Sequence, residues 1–451
     1  MVINSETSNS IKNLLFKQVS IAPLASFRIL FGAMILFSSI RFVAKGWVDL
    51  LYIQPSYHFG YEGFLWLHPL SGIGMYIVYG IMIISALGIL LGAFYRIATL
   101  LFFLTFTYVE LLDKTNYLNH YYFISIASLL MCILPANKYA SLDVKLGITS
   151  KANFIPNWCI LAIQLQIGIV YFFAGIAKIN PDWLLEAQPL KIWLKSRDYL
   201  PIIGKLFEYD ITAYLFSWFG MLFDISIFFF LLNKRTRPYA YAAVVFFHIC
   251  TGYLFQIGVF PYVMIVATWI FFSADFHQRF LSIFINYKSN ENIYYQPKFN
   301  RVWVTLLLIH FSIQILLPFR YLLYPGHLFW TEQGYRFSWR VMLMEKNATT
   351  EFIIKDKNGK IEAVRNRDFL TPHQEKQMST QPDMIIQFAH FLANEYNKNK
   401  GFEDAAVYVE SYAALNGHPS RPFINEKINL AKEPINLLNK KWILPYDEKK
   451  N

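Results

Sequence analysis

Charged residues are scarce in this chain of 451 residues: Asp, Glu, Lys and Arg make up 16% of it, whereas hydrophobic residues make up 55%. Soluble domains carry about 25% charged residues. The scarcity of charge therefore excludes an ordinary soluble protein and indicates an integral membrane protein. The net charge of +11 is distributed over short loops between apolar runs. We interpret the basic residues as topology signals, so no nucleic-acid partner is expected.

Cysteine and the common catalytic motifs are also lacking. The three cysteines, Cys132, Cys159 and Cys250, lie in or at the ends of apolar runs without CxxC spacing, so we expect no disulfide framework and no metal cluster. The chain has no GxGxxG, GxxxxGK[ST], HExxH or GxSxG motif. Nucleotide binding and serine hydrolysis therefore have no support from the sequence.

Apolar runs of membrane-spanning length are the main feature that is present. Taking about 17 to 25 residues for a span, the sequence predicts about nine spans: 21–43, 71–92, 96–112, 119–136, 157–177, 212–232, 237–252, 255–273 and 301–318. The aromatic segment 45–70 is broken by prolines and glycines and is expected to lie at the membrane interface. The basic loops place residues 1–20 in the cytoplasm as a tail.

The composition changes near residue 319. Residues 351–355 and 360–364 alternate with period two around Asn358-Gly359, which predicts a β-hairpin. A helix is expected over 384–397 and an extended segment over 405–412. The predicted fold is a polytopic α-helical membrane protein with three parts: a tail (1–20), a multi-span catalytic domain (21–318) and a soluble, β-rich α+β domain (319–451) on the extracytoplasmic side.

One lysine ends a predicted span at the outer surface. The fifth span ends in Ala-Gly-Ile-Ala-Lys178, and Asn180-Pro181-Asp182-Trp183 stops the helix. Desolvation lowers the pKa of a lysine from about 10.4, so the Lys178 amine could serve as a base. A snorkelling anchor is the alternative for a single lysine at this position.

Other polar and aromatic residues are predicted to meet Lys178 at the outer surface. The candidates are Asn119, His120, Trp183, His248, Tyr253, Gln256, Tyr324, Trp330, Arg336 and Trp339. Structural roles compete here: Asn119 could be a helix N-cap, His120 a helix-end residue bonded to backbone, and the aromatics an interfacial belt. Asp224 within the sixth span is a rarer feature, because an intramembrane carboxylate either has a function or pairs with a basic neighbour.

Several segments, in the same order, resemble the vitamin K-dependent γ-glutamyl carboxylases and their bacterial relatives with the HTTM multi-span domain. The resemblance covers roughly 20–345. It is carried by Asn119-His120-Tyr121-Tyr122 after Asp113-Lys114, Pro135-Ala136-Asn137 with Ser141-Leu142-Asp143, Ala174-Gly175-Ile176-Ala177-Lys178 with Asp182-Trp183, Leu254-Phe255-Gln256-Ile257-Gly258 with Tyr262-Val263-Met264, and Tyr335-Arg336-Phe337-Ser338-Trp339-Arg340-Val341-Met342.

This resemblance implies a reaction and roles for three residues. In the family, a lysine deprotonates reduced vitamin K, O2 reacts with the anion, and the strong base that results removes the γ-proton of a glutamate, which takes up CO2 as the quinone leaves as its epoxide. Lys178 matches that lysine, and His120 with Asn119 matches the pair needed in the pocket. The implied ligands are a lipid quinone (phylloquinol or menaquinol), O2, CO2 and a glutamate-containing protein or peptide, without a metal.

The sequence departs from the eukaryotic members at two points. Ala177 stands where they have a second lysine, and the C-terminal domain is short, which leaves propeptide recognition open. The alternatives are therefore a quinone-epoxidising homologue that does not carboxylate, and a membrane lipid-binding or transport protein. We expect a bacterial inner-membrane protein with its site facing the periplasm, or an ER protein with a lumenal site if the host is eukaryotic.

Overall fold

The structure is a computed structural model that describes residues 5–255, 257–283 and 292–446. Helices dominate the part of the chain that precedes the C-terminal sheet. They are α1 (Ser5–Phe16), α2 (Ala22–Ala44), α3 (Gly72–Leu91), α4 (Tyr95–Leu112), α5 (Asn119–Ile133), α6 (Leu142–Lys145), α7 (Trp158–Ala177), α8 (Pro181–Leu184), α9 (Leu190–Lys195), α10 (Asp210–Leu232), α11 (Arg237–Phe255), α12 (Phe260–Thr268), α13 (Ala274–Ser282), α14 (Asn300–Leu316) and α15 (Leu328–Thr331).

Seven helices in the described part of the chain are long and apolar enough to cross a membrane: α2, α3, α4, α7, α10, α11 and the segment Asn300–Leu323, in which α14 continues as a 3-10 helix. Helices satisfy their own backbone hydrogen bonds, as the lipid phase requires. Among these helices α7 is the most buried, since 67% of its most apolar 18-residue stretch lies inside the protein. The chain is therefore a multi-span helical membrane protein organised around α7.

Two of the predicted spans are shorter or bent. The predicted span 119–136 is the fifteen-residue helix α5, which ends before Pro135 because a residue that precedes proline disfavours the helical conformation. The predicted span 255–273 is α12 with a short 3-10 turn, and it meets α13 at 114°. Phe272 is extended at this bend and Ser273 caps α13. If this bent pair is one span, the described residues hold eight candidate spans, one fewer than the nine that the sequence predicted.

The C-terminal region carries a four-stranded antiparallel sheet in the order β4-β3-β5-β6. After the short strands β1 (Gln18–Ser20) and β2 (Phe154–Pro156), which pair near the membrane domain, its elements are β3 (Lys346–Lys355), β4 (Ile361–Val364), α16 (Pro372–Thr380), α17 (Pro382–Asn399), β5 (Ala406–Leu415) and β6 (Arg421–Pro422). In β5 alternate residues from Val407 to Leu415 are buried, as expected for a strand with one covered face. The predicted hairpin, helix and extended segment correspond to β3–β4, α17 and β5.

This β-rich domain is attached to the membrane domain by polar contacts. Lys114 Nζ of the membrane domain lies 2.7 Å from Asp383 Oδ2 and 3.2 Å from Glu62 Oε1. Within residues 319–451, Arg336 Nη1 lies 2.7 Å from the same Asp383 oxygen. The segment predicted at the interface begins with a π-helix (Asp49–Ile53) and then runs beneath the β-rich domain, where Gly60 O accepts a hydrogen bond at 2.9 Å from an amide on α17. The β-rich domain thus covers the outer end of the helices.

Candidate active site

Lys178 lies at the carboxyl end of α7 and is buried in an ion pair. Its Nζ donates a hydrogen bond of 2.7 Å to Asp224 Oδ2 and one of 3.2 Å to the carbonyl oxygen of Ala174. Only 8% of the Lys178 side chain and 7% of the Asp224 side chain are exposed. Asn180 starts the next helix by accepting a hydrogen bond of 3.0 Å from the Trp183 amide. The turn therefore directs Lys178 inward, toward α10.

A glycine on α7 makes this ion pair possible. A Cβ atom at Gly175 would lie 2.5 Å from Ile225 Cγ1 and 2.7 Å from the Ile225 amide nitrogen. Only glycine allows the backbones of α7 and α10 to approach so closely. The contact brings Asp224, which precedes Ile225, opposite Lys178. Lys178 thus has a counter-ion. The sequence argument considered only the desolvation of Lys178 and did not predict this partner.

A small cavity of about 80 Å³ opens beside this pair. Its walls are mostly apolar and aromatic, and His248 adds a second polar group besides the ion pair. His248 Nε2 lies 2.8 Å from Tyr171 Oη, and its buried Nδ1 has no hydrogen-bond partner among the described residues. The cavity is therefore lined by two nitrogen-bearing side chains, Lys178 and His248, among aromatic walls.

Trp183 forms part of the wall of the same cavity. Its ring centroid lies 5.4 Å from Lys178 Nζ, within the distance of a cation–π contact. Its Nε1 donates a hydrogen bond of 2.9 Å to the carbonyl oxygen of Ser217 on α10. Trp183 therefore supports the ammonium and at the same time ties the turn after α7 to α10.

Asn119 and His120 begin α5 and line a second, larger cavity of about 980 Å³. Asn119 Nδ2 donates a hydrogen bond of 2.9 Å to the carbonyl oxygen of Arg340, and Asn119 Oδ1 accepts one of 3.1 Å from the Tyr117 hydroxyl. His120 is buried, with its ring centroid 4.6 Å from that of Tyr121. Asn119 thus holds the chain at Arg340, and His120 lies where a substrate could reach it.

The larger cavity is strongly basic. Five of its lining residues are cationic: Arg41, Lys114, Arg197, Arg336 and Arg340. Glu332 also lines it, but its Oε1 lies 3.0 Å from Lys346 Nζ. Burial raises the pKa of Glu332 and lowers the pKa of Lys346, while the attraction within the pair opposes both changes. Lys114 and Arg336 are already paired with Asp383, so it is the charge of Arg41, Arg197 and Arg340 that suits an anionic substrate group.

Phe260 lies between the two cavities and belongs to the wall of each. Its ring centroid is 5.8 Å from that of His120 and 5.6 Å from that of His248. Five further residues are shared by the two walls: Trp193, Phe255, Ile257, Val341 and Met342. The Lys178 side and the His120 side are therefore adjacent compartments of one site.

Lys178, Trp183 and His248 line the small cavity, whereas Asn119, His120 and Arg336 line the large one. The other predicted residues lie elsewhere. Tyr253 is 60% exposed on α11, and Tyr324 donates a hydrogen bond to Leu437 O at 2.7 Å. Trp330 is buried in the β-rich domain and donates a hydrogen bond to Leu444 O at 2.7 Å.

Trp339 and Gln256 are the remaining candidates. Trp339 is fully buried among the helices and stacks on Tyr122 with a centroid distance of 4.7 Å. Gln256 lies outside the described residues. Trp339 lines neither of the two cavities, and the predictions that Trp339 and Gln256 bind substrate stay predictions.

Several site residues were not among the sequence candidates. The sequence shows Asp224 as an intramembrane acid, but its pairing with Lys178 depends on how the helices pack. Phe260 and Arg340 look like ordinary interfacial residues in the sequence. The available signal was that Arg340 itself, and the segment Tyr262-Val263-Met264 close to Phe260, belong to the family-like segments.

One group of described residues has donor atoms close enough to share a metal ion. The nearest donor atoms of Asp182, Glu186 and His418 all lie within 4.8 Å of one another. The group is partly exposed and lines neither cavity. The expectation that the chemistry uses no metal stays a prediction.

The geometry defines a class: a polytopic membrane protein whose buried lysine site lies beneath a β-rich domain. Residues 16–276 match the HTTM domain family and residues 299–449 match the lumenal domain of the vitamin K-dependent gamma-carboxylase. The chain therefore belongs to the HTTM domain family and is a member of the gamma-carboxylase group within it. No solved structure matches the chain.

Proposed function

We propose that this protein carboxylates glutamate side chains of a protein or peptide, using reduced vitamin K, O2 and CO2, with epoxidation of the quinone. The observation that carries the proposal is the buried Lys178–Asp224 pair in an aromatic cavity adjoining the basic cavity lined by His120. In our assignment residues 21–318 hold Lys178 and His120, and residues 319–451 cover them on the extracytoplasmic side and add Val341 and Met342 to the walls of both cavities. In a bacterium that side is the periplasm, and in a eukaryote it is the ER lumen.

The side chains that line the small cavity suit the head group of a lipid quinone, but the volume of the cavity is small for one. Its aromatic walls suit a flat ring, and Lys178 Nζ and His248 Nδ1 suit the two ring oxygens. Ligand cavities usually measure about 300 Å³ or more, whereas this one measures about 80 Å³. We therefore place the head group partly in the larger cavity, with Phe260 moved aside.

Reduced vitamin K would supply, with O2, a base stronger than any side chain at neutral pH, which the weakly acidic γ-proton of glutamate requires. Lys178 Nζ would accept a hydroxyl proton from the hydroquinone. It can do so because the proton that Lys178 already carries can move to Asp224 Oδ2, 2.7 Å away. The pair would thus take up one proton and keep its hydrogen bond.

The larger cavity would hold the glutamate. Arg41 Nε is buried without a hydrogen-bond partner among the described residues, and Arg41 lines this cavity together with His120. Arg41 would pair with the substrate carboxylate, and His120 would stabilise negative charge that develops beside it. The aromatic walls would exclude water, so that the carbanion meets CO2 before a proton.

The test follows two products in one tube. Purified protein receives reduced vitamin K, O2, labelled CO2 and a glutamate-rich peptide, and labelled peptide and epoxide are both quantified. Lys178→Ala is compared with wild type, and Lys205→Ala, an exposed lysine after the same span, is the matched control. We expect both products with wild type and Lys205→Ala, and neither with folded Lys178→Ala.

Other outcomes select among the alternatives. Epoxide without labelled peptide, over a panel of peptides, would leave a quinone-epoxidising homologue. Neither product from folded wild-type protein would favour lipid binding or transport. Full activity of Lys178→Ala would contradict the assignment of Lys178 as the base.

A further inference from the structure

A third cavity, of about 280 Å³, lies between the carboxyl end of α7 and the 3-10 helix that follows α14. Ala177, Ile179 and Asn180 form one wall, and Phe319 and Tyr321 form another. Ala177 directly precedes Lys178, so the cavity lies at the same depth as the outer end of α7. It is separate from the small cavity, with which it shares no lining residue.

The rim of this cavity is apolar and exposed. Ile179 is 57% exposed and Phe319 is 41% exposed, and Leu322 and Leu323, next along the 3-10 helix, are 67% and 79% exposed. Large apolar side chains on the outside of a membrane helix face the acyl chains of lipids. The third cavity therefore opens where acyl chains meet head groups.

Arg340 brings an incompletely bonded cation into this apolar setting. It lines the third cavity as well as the large one, and only 8% of it is exposed. Its guanidinium carbon lies 4.5 Å from the ring centroid of Tyr321, and its buried Nε has no hydrogen-bond partner among the described residues. No Asp or Glu is among the described residues that line this cavity. A buried donor without a partner is costly, and a guanidinium matches the oxygens of a phosphate.

We propose that the third cavity binds one anionic phospholipid, with the lipid phosphate on Arg340 and the acyl chains along Ile179 and Phe319. The site would also affect the centre described above, because the backbone carbonyl of Arg340 accepts the 2.9 Å hydrogen bond from Asn119. A bound lipid would therefore order the chain that Asn119 holds. This inference goes beyond the proposed function and does not depend on it.

The test measures bound lipid and needs no enzyme activity. The full-length protein is reconstituted in nanodiscs of phosphatidylcholine with a minor share of phosphatidylglycerol, re-extracted in detergent, and analysed by native mass spectrometry. We expect wild type to retain one phosphatidylglycerol per chain and Arg340→Gln to retain about tenfold less, as expected for the loss of one charge-assisted contact.

A second pair of variants keeps the proposal testable if Arg340→Gln fails to fold. Ile179→Trp fills the cavity mouth and leaves Arg340 in place, whereas Ile211→Trp changes an isoleucine of similar exposure, 63%, that does not line the cavity. Ile179→Trp should lose the lipid and Ile211→Trp should keep it. Equal retention in both variants would overturn the proposal.

Three further outcomes would also overturn it. They are retention of phosphatidylcholine in place of phosphatidylglycerol, retention of a quinone, and displacement of the lipid by millimolar inorganic phosphate. The last would assign the Arg340 site to a free anion. Failure of any of these tests would leave the proposed carboxylation intact, because the two are measured separately.

Discussion

Two lysine–aspartate pairs near the outer surface have the same length but different surroundings. Lys178 and Asp224 lie 2.7 Å apart inside the helices, and Lys114 and Asp383 lie 2.7 Å apart where the β-rich domain meets them. Asp383 is shared with a second cation, Arg336, also at 2.7 Å. Asp224 accepts a hydrogen bond from Lys178, and both residues line the small cavity.

The difference separates a structural pair from a reactive one. Burial acts to raise the pKa of Asp383, but the charges of Arg336 and Lys114 outweigh it and hold that pKa well below its usual range. Asp383 is therefore fixed as a carboxylate, and its network fastens two domains. Among the described residues Asp224 is paired with Lys178 and with no second cation, so a proton can move from Lys178 to Asp224, and Lys178 lines a cavity that a ligand can enter.

Substitution of each lysine by arginine should give the largest difference in activity between the two pairs. Lys178→Arg keeps a cation opposite Asp224 but cannot release a proton, because guanidinium stays charged. We expect epoxide formation to fall about 10²- to 10⁴-fold, whereas Lys114→Arg keeps most activity. Initial rates of epoxide formation check this. Similar rates for the two variants would contradict the view that one pair is reactive and the other structural.

Asp383→Asn should have the next largest effect, on stability. It leaves Arg336 buried beside a neutral side chain, and removing one member of a buried pair costs about 3 kcal/mol or more. We expect a lower midpoint of thermal unfolding and faster proteolysis of the β-rich domain. At temperatures where that domain stays attached, activity should remain. Loss of activity with an unchanged melting midpoint would place Asp383 in the chemistry.

Asp224→Asn should affect turnover more than attachment of the β-rich domain. Asparagine still accepts the hydrogen bond from Lys178 but cannot take its proton. We expect epoxide formation to fall about 100-fold, at the low end of general-base effects. The double variant Lys178→Met/Asp224→Leu should fold and stay inactive, since an apolar pair can replace a buried ion pair. An Asp224→Asn variant as active as wild type would contradict the proton transfer.

Acid should weaken the domain contact by a smaller amount. A pKa that is lowered in the folded state means that the unfolded chain binds more protons below about pH 5. The stabilisation by Asp383 is thus complete well above the ordinary aspartate pKa of about 3.9 and is lost as the pH falls below it. Melting midpoints between pH 7 and pH 3.5 should show this decrease in wild type. The Asp383→Asn variant should lack the part of this decrease that comes from protonation of Asp383.

The sequence predicted local features better than contacts between distant segments. The Asn358-Gly359 turn has its own chemistry, and Gly359 adopts φ +85°, which glycine tolerates. The β-hairpin was therefore predictable. The pairing of Lys178 with Asp224 was not, because it depends on the closeness of α7 and α10 at Gly175.

Aromatic residues were the hardest to place. Trp183 and Trp330 have the same residue type and both follow apolar runs, so sequence alone assigned both to the outer belt. The structure puts Trp183 beside Lys178 and packs Trp330 against Phe423 and Tyr446 of the β-rich domain. Both find a carbonyl acceptor for Nε1. A tryptophan satisfies its polar atom in either setting, so the residue type does not distinguish the two.

The segment after α2 makes its contacts with chain that is synthesised much later. The hydrogen bond from Gln387 to Gly60 joins residues 327 positions apart, and Tyr57 packs against Phe388 and Phe391 on α17. Because chains emerge from the N-terminus, this segment has to wait at the membrane surface until translation is nearly finished. Biogenesis of the protein therefore contains a late step, in which closure of the β-rich domain completes a surface that the earliest helices left open.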